Sequence, residues 1–168
     1  GDLPAGYDHK YTYAHLGYNL KITDMQAACA LAQMDRLDDF IAARKRNFTW
    51  LRERLQGSSE YLVLPQATPK SDPSWFGFPL TVRDGERFKR VDLLRFLDAR
   101  GVGTRLLFAG NLVRQPYMQG RNYRVAGPLP VTEKVMHDTF WVGIWPGLGE
   151  EQLEHIAASI ELFFARIV

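Results

Sequence analysis

Phe140-Trp141-Val142-Gly143-Ile144, followed by a run in which Leu153, Ile156, Ile160, Phe163 and Ile167 recur, is the stretch that decides the fold. The first five residues read as a short strand. The apolar positions of the second part fall at 3-4-3-4 spacing, which predicts a helix with one face to bury. Working outward, Val91 to Arg100 reads as another helix, with Leu93, Leu94 and Leu97 inward and Gly101 as its stop. Thr104 to Phe108, Trp75 to Val82 and Tyr61 to Leu64 read as further strands, the last ended by Pro65. A turn is expected at Asp84-Gly85, and a short helix around Thr132 to His137. Strands separated by one-sided helices predict an open two-layer α/β (α+β) sandwich. With few strands available, the sheet should be small, mostly antiparallel and covered on one face by helices.

Nearer the start, helical signals run from Thr23 to Gln56. Thr23 and Gln26 form a capping box, Asp24 sits in the first turn, and Gly57 stands as a C′ stop. Leu37, Ile41, Phe48, Leu51 and Leu55 share one stripe, with Arg44, Lys45, Arg52 and Glu53 toward water. The run is long for one globular helix, so a bend or break is expected near Asp38-Asp39. Ala27-Ala28-Cys29-Ala30 should pack closely against another element, with Cys29 as a small buried hydrophobe.

Residues 1–22 differ in kind: an extended arm with no hydrophobic face, dense in Tyr11, Tyr13, His15, Tyr18, Asn19 and Lys21. Such a segment is expected to reach another domain or subunit. The division expected is therefore an arm, 1–22, and a small domain with a long linking helix, 23–168. The irregular stretch Ala109 to Pro130, rich in Gly, Asn, Arg and Tyr, is long enough to suggest a functional loop.

Composition sets the bounds. The chain has 168 residues, 46% hydrophobic and 24% charged, as expected for one soluble domain. A net charge of +2, with the basic residues spread out, argues against a nucleic-acid partner. Cys29 is the only cysteine, so the chain alone forms no disulfide and no cysteine metal site. No apolar run is long enough to span a membrane, and the cytoplasm is the simplest compartment. The opening Gly1-Asp2-Leu3-Pro4 reads as though cut from a longer protein. No nucleophile elbow, phosphate-binding glycine loop or metal-ligand spacing appears. His155, opposite the apolar stripe, reads as a solvated side chain and His137 as structural. His9 and His15 either touch a ligand or hold the arm in place.

Gly17-Tyr18-Asn19-Leu20-Lys21-Ile22-Thr23-Asp24-Met25-Gln26-Ala27-Ala28 closely resembles the motif of the DegT/StrS family of nucleotide-sugar enzymes, which use pyridoxal phosphate or pyridoxamine phosphate. The resemblance extends from Tyr7-Asp8-His9-Lys10 to Trp145-Pro146-Gly147-Leu148. It implies the C-terminal small domain of a fold-type-I enzyme, working as a homodimer with composite active sites. It also implies that Asn19, otherwise read as a turn residue, reaches the cofactor phosphate of the neighbouring subunit. The resemblance implies a second cofactor-site residue, Lys21, which stands where many relatives have Arg and would contact substrate or phosphate.

Two passages suggest a branch. Trp75-Phe76-Gly77-Phe78 carries Phe76 where the sugar aminotransferases usually have His. Arg105-Leu106-Leu107-Phe108-Ala109-Gly110-Asn111-Leu112 with Arg114-Gln115-Pro116-Tyr117 resembles the CDP-4-keto-6-deoxy-D-glucose 3-dehydrases, which deoxygenate C3 of a nucleotide sugar for 3,6-dideoxysugars of lipopolysaccharide O-antigens. The resemblance implies a substrate pocket including Phe76, Arg105, Asn111, Arg114 and His15. On its own, Arg105 reads equally well as an edge-strand surface charge. No catalytic residue is assigned to this chain, because the branch's base, a histidine, lies upstream. So do the ligands of the [2Fe–2S] cluster that some members carry, which are served by an NADH-dependent reductase. The chain alone should be inactive. Two alternatives are a sugar aminotransferase of the same family and a non-catalytic dimerisation or ligand-binding module.

Overall fold

The structure is a computed structural model that describes residues 18, 20–83, 87–118 and 120–167. It separates into two compact units, Gly1–Leu37 and Asp38–Val168.

In the first unit, helix α1 (Asp24–Met34) starts on the expected capping box. The Thr23 backbone N–H donates to Gln26 Oε1 at 2.9 Å, and the Gln26 N–H donates back to Thr23 Oγ1 at 3.4 Å. The helix ends at Asp35, earlier than the expected bend at Asp38-Asp39. Those two acids instead occupy the first turn of helix α2 (Leu37–Arg54), where the dipole favours them. Helix α1 buries none of its residues, and Cys29 is exposed rather than buried as expected. Among the described residues of this unit, none covers the alanine-rich run.

The second unit carries the sandwich. Strands β1 (Leu62–Val63), β2 (Gly77–Val82), β3 (Thr104–Leu106) and β4 (Thr139–Gly143) form one antiparallel sheet in the order β1-β2-β4-β3. Alternation sorts the faces. Leu62, Phe78, Leu80, Val82, Phe140 and Val142 point inward and are buried. Three helices cover them: Phe48 and Leu51 of α2, Leu93 and Leu97 of α3 (Arg90–Ala99), and the stripe of α5 (Glu150–Ile167). The sequence stripe of α5 omitted Phe164, which is buried and stacks on Tyr61 at 4.6 Å between centroids.

Helix α3 stops where expected. Gly101 has φ +73°, its N–H reaches the Asp98 carbonyl, and the Val102 N–H reaches that of Leu97, the paired bonds of a Schellman cap. Gly57 is not such a stop. It lies inside a 3₁₀ turn, Gln56–Ser58, that closes α2 without a positive φ.

Two cations of α2 expected in water work at its packed side. Arg44 Nη1 donates to the carbonyls of Trp75 and Phe76 at 3.1 and 3.0 Å, and Arg52 Nε to that of Pro65 at 3.1 Å. Asn47, buried in the same helix, donates to the Trp145 carbonyl at 3.0 Å. These bonds satisfy loop carbonyls that would otherwise lose water without replacement. They fix the approach to β2 and the exit from β4.

Candidate functional site

The outer face of the sheet carries two of the candidate residues, Phe76 and Arg105. Trp141 belongs to the outward phase of β4, opposite Pro79 on β2 and Arg105 on β3. Its indole lies flat across three strands. The six-membered ring covers Gly77 of β2, where a Cβ would collide with it, and Nε1–H donates to the Leu106 carbonyl of β3 at 3.2 Å. Phe76 leans on this ring, 5.1 Å between centroids and tilted 59°, and is itself 67% exposed. Arg105, also exposed, donates Nη1 to the Thr104 carbonyl at 3.2 Å and stands beside the indole in register. The result is an aromatic surface edged by a guanidinium.

Strand β3 ends at Leu106, two residues short of the expected limit. Phe108 takes φ +49° and its N–H turns back to the Leu106 carbonyl at 2.8 Å, breaking the ladder. A left-handed backbone at an exposed aromatic residue is costly and tends to mark functional loops.

The chain then enters a 3₁₀ turn, Leu112–Arg114, whose polar groups converge on Glu133 in the first turn of α4 (Pro130–Asp138). Asn111, 2% exposed, accepts from the Val113 N–H at 3.2 Å through Oδ1 and donates from Nδ2 to Glu133 Oε1 at 2.5 Å. Arg114 Nε donates to the same oxygen at 2.6 Å. These hydrogen bonds, that of Arg114 foremost, hold the Glu133 carboxyl below the usual carboxylate range, and Glu133 raises Arg114 in turn. His137 lies one helical turn on, with Nδ1 2.8 Å from the Glu133 carbonyl oxygen.

Of the residues singled out in the sequence, Phe76 and Arg105 meet on the outer face, and Asn111 and Arg114 meet on Glu133. Lys21 is exposed just ahead of α1, while His15 and Asn19 lie outside the described residues. Sequence reasoning missed Trp141 and Glu133. A tryptophan on the outward phase of a strand was a readable signal for the first. For the second, an acid in a helix's first turn pointed only to the dipole, and its partners lie 19 and 22 residues away. A separate cleft of about 610 Å³ lies between the Gly101–Gly103 turn and the first half of α5; exposed His155 lines it and contacts the Arg100 carbonyl at 2.9 Å. Among the described residues, no group of three His, Cys, Asp or Glu side chains could hold a metal, and no helix is long and apolar enough to cross a membrane.

Residues 4–161 match the model of the DegT/DnrJ/EryC1/StrS aminotransferase family. The chain belongs to this family. It is 58% identical over 98% of its length to the lipopolysaccharide biosynthesis protein RfbH of Salmonella typhimurium. It is 49% identical over 99% of its length to dTDP-4-dehydro-2,6-dideoxy-D-glucose 3-dehydratase of Saccharopolyspora spinosa. It spans only 38% and 36% of those two relatives. The fold is shared with the solved structure of E. coli GDP-4-keto-6-deoxy-D-mannose-3-dehydratase with bound hydrated PLP, at TM-score 0.82 and 21% identity, over 92% of this chain and 39% of that one.

Proposed function

We propose that this chain is the C-terminal part of a pyridoxamine-phosphate-dependent 3-dehydratase acting on CDP-4-keto-6-deoxy-D-glucose, within a cytoplasmic homodimer. The observation that carries the reading is the exposed Phe76 leaning on Trp141. It offers an apolar wall where the sugar aminotransferases carry an imidazole, and identity to a named 3-dehydratase and to RfbH supports the same branch.

The cofactor's phosphate fits the start of α1. Lys21 stands exposed there, and the first-turn N–H groups of a helix have no intrahelical acceptors. In this reading Asn19 and Lys21 hold that phosphate in the neighbouring subunit's site. When bound, pyridoxamine phosphate supplies an amine and an electron sink for expelling the C3 hydroxyl. Phe76 and Trp141 exclude water from the sugar, while Arg105 and Arg114 donate hydrogen bonds to the nucleotide's anionic oxygens. Asn111 is committed within its turn and shapes the pocket from behind, and His15 is kept as the substrate contact that the resemblance implies. The base lies outside this chain. Any [2Fe–2S] cluster, with its NADH-dependent reductase, also draws its ligands from elsewhere, because Cys29 is the sole cysteine here.

The test is to give the full-length protein pyridoxamine phosphate and CDP-4-keto-6-deoxy-D-glucose labelled with ¹⁸O at C3. Release of label into water is expected. Retained label with amino transfer from glutamate to C4 would make the protein an aminotransferase, and neither outcome would leave a binding module.

A further inference from the structure

The Arg114–Glu133 pair has a geometry that a simple surface ion pair does not need. Of the three polar side chains in residues 109–115, two hold the loop itself: Asn111 through the contacts above, and Gln115, which donates Nε2 to the Ala109 carbonyl at 2.8 Å. Among the described residues Arg114 is anchored at Nε alone, and its side chain is 58% exposed. A guanidinium has five N–H donors, so an anchor at Nε leaves the donors of Nη1 and Nη2, the end-on edge of the fork, unused on a side chain more than half exposed. That edge matches two oxygens of a phosphate. The anchor comes from α4, on the far side of residues 120–129, and the same oxygen also grips buried Asn111. Arg114 is thereby tied to the framework, which lowers the rotamer freedom that binding would have to remove. The charge of Glu133 is met by two donors at Oε1, with His137 Nδ1 3.8 Å from Oε2, so the carboxylate is occupied from behind.

We propose that Glu133 is a positioning residue: it holds Arg114 by Nε so that the two terminal –NH₂ groups form a preset clamp for the diphosphate of the nucleotide-sugar substrate. This rests on the reading of the site as a nucleotide-sugar pocket.

The experiment is calorimetric titration of the full-length, cofactor-loaded protein with CDP, dTDP and GDP, each paired with its nucleoside. For the nucleotide bound best, Glu133→Ala should weaken diphosphate binding about tenfold while leaving the nucleoside within about twofold. Arg114→Ala, which keeps the Glu133–Asn111 bond, should do the same, and the double variant should be no weaker than Arg114→Ala alone. Glu133→Gln retains an acceptor oxygen and should recover most of the affinity. Equal loss for diphosphate and nucleoside would reduce Glu133 to a structural residue and overturn the proposal. So would wild-type affinity in both alanine variants; if the wild type still turned over the nucleotide sugar, the functional reading would survive that result. A wild type that binds none of the three diphosphates would sink both.

Discussion

Replacing Gly77 by alanine adds one methyl group directly under the Trp141 ring on the outer sheet face. The new Cβ would overlap the six-membered ring of Trp141, a rigid group that has no flexible end to swing away. One of two adjustments must follow. The indole can lift, which breaks the Nε1 bond to the Leu106 carbonyl, worth about 0.5–1.5 kcal/mol, and the Phe76 ring contact, worth a similar ~0.5–1.5 kcal/mol. Otherwise β2 shifts in the sheet and disturbs Phe78 and Leu80 on the buried side. Both routes give a cost of about 1–3 kcal/mol, the usual range for overpacking. For a domain of this size that is a fall in Tm of roughly 2–12 °C. Urea unfolding followed by far-UV circular dichroism would measure it. A double-mutant cycle with Trp141→Ala supplies the decisive comparison. Removing the indole removes the obstacle, so Gly77→Ala should cost little in that background. If the alanine costs nothing in the wild-type background, or costs the same with and without Trp141, the packing of the indole across β2 and β3 is not what the structure describes.

Asn111→Ala removes the acceptor of the Val113 N–H and one of the two donors on Glu133 Oε1, both part-buried, and should cost about 1–3 kcal/mol in the same unfolding assay. The Glu133 carboxyl is depressed in the folded state, so its contribution is complete above the unfolded carboxylate pKa and is lost as pH falls through the lower folded value. The stability gap between wild type and Glu133→Gln, measured as urea midpoints, should therefore be constant near neutrality and close in acid. Arg54 bridges α2 to Glu154 and Glu161 of α5 across half-exposed positions, so the effect of Arg54→Met should shrink as salt rises from about 0.01 to 1 M. If the full-length protein is the homodimer proposed above and Asn19 binds the cofactor phosphate, Asn19→Ala should weaken cofactor binding roughly ten- to a hundredfold, the loss of one hydrogen bond to a charged group. Mixed dimers with a base-dead partner should keep about half of wild-type activity if Asn19 serves the neighbour's site, and lose it if Asn19 serves its own.

The sandwich was legible because its signals are local. The α5 stripe, the Thr23–Gln26 box and the Leu97-Gly101 stop each depend on residues within a turn or two of one another. The long helix does break near the expected Asp38-Asp39, but at Asp35, because two adjacent acids read equally well as a break or as a fresh first turn, and the difference lies in the dipole of a helix not yet located. Cys29 was misread because an alanine-rich run reports that close packing is affordable, not where the covering surface is.

The site shows the same division more sharply. Phe76, Arg105, Asn111 and Arg114 could be named from a motif, but a motif does not say which of them point outward. Asn111 and Arg114 sit three residues apart and both touch Glu133 Oε1, yet one is buried to the last few per cent and the other presents more than half its side chain. What separates them is the carboxylate that α4 brings back after an exposed loop. Trp141 is the parallel case on the sheet: its outward phase was written in the sequence, but its reach from Gly77 to Leu106 depends on the order β2-β4-β3. Only once β4 lies between β2 and β3 can one indole floor the face that Phe76 and Arg105 share. Strand order thus converts three separately readable residues into one surface.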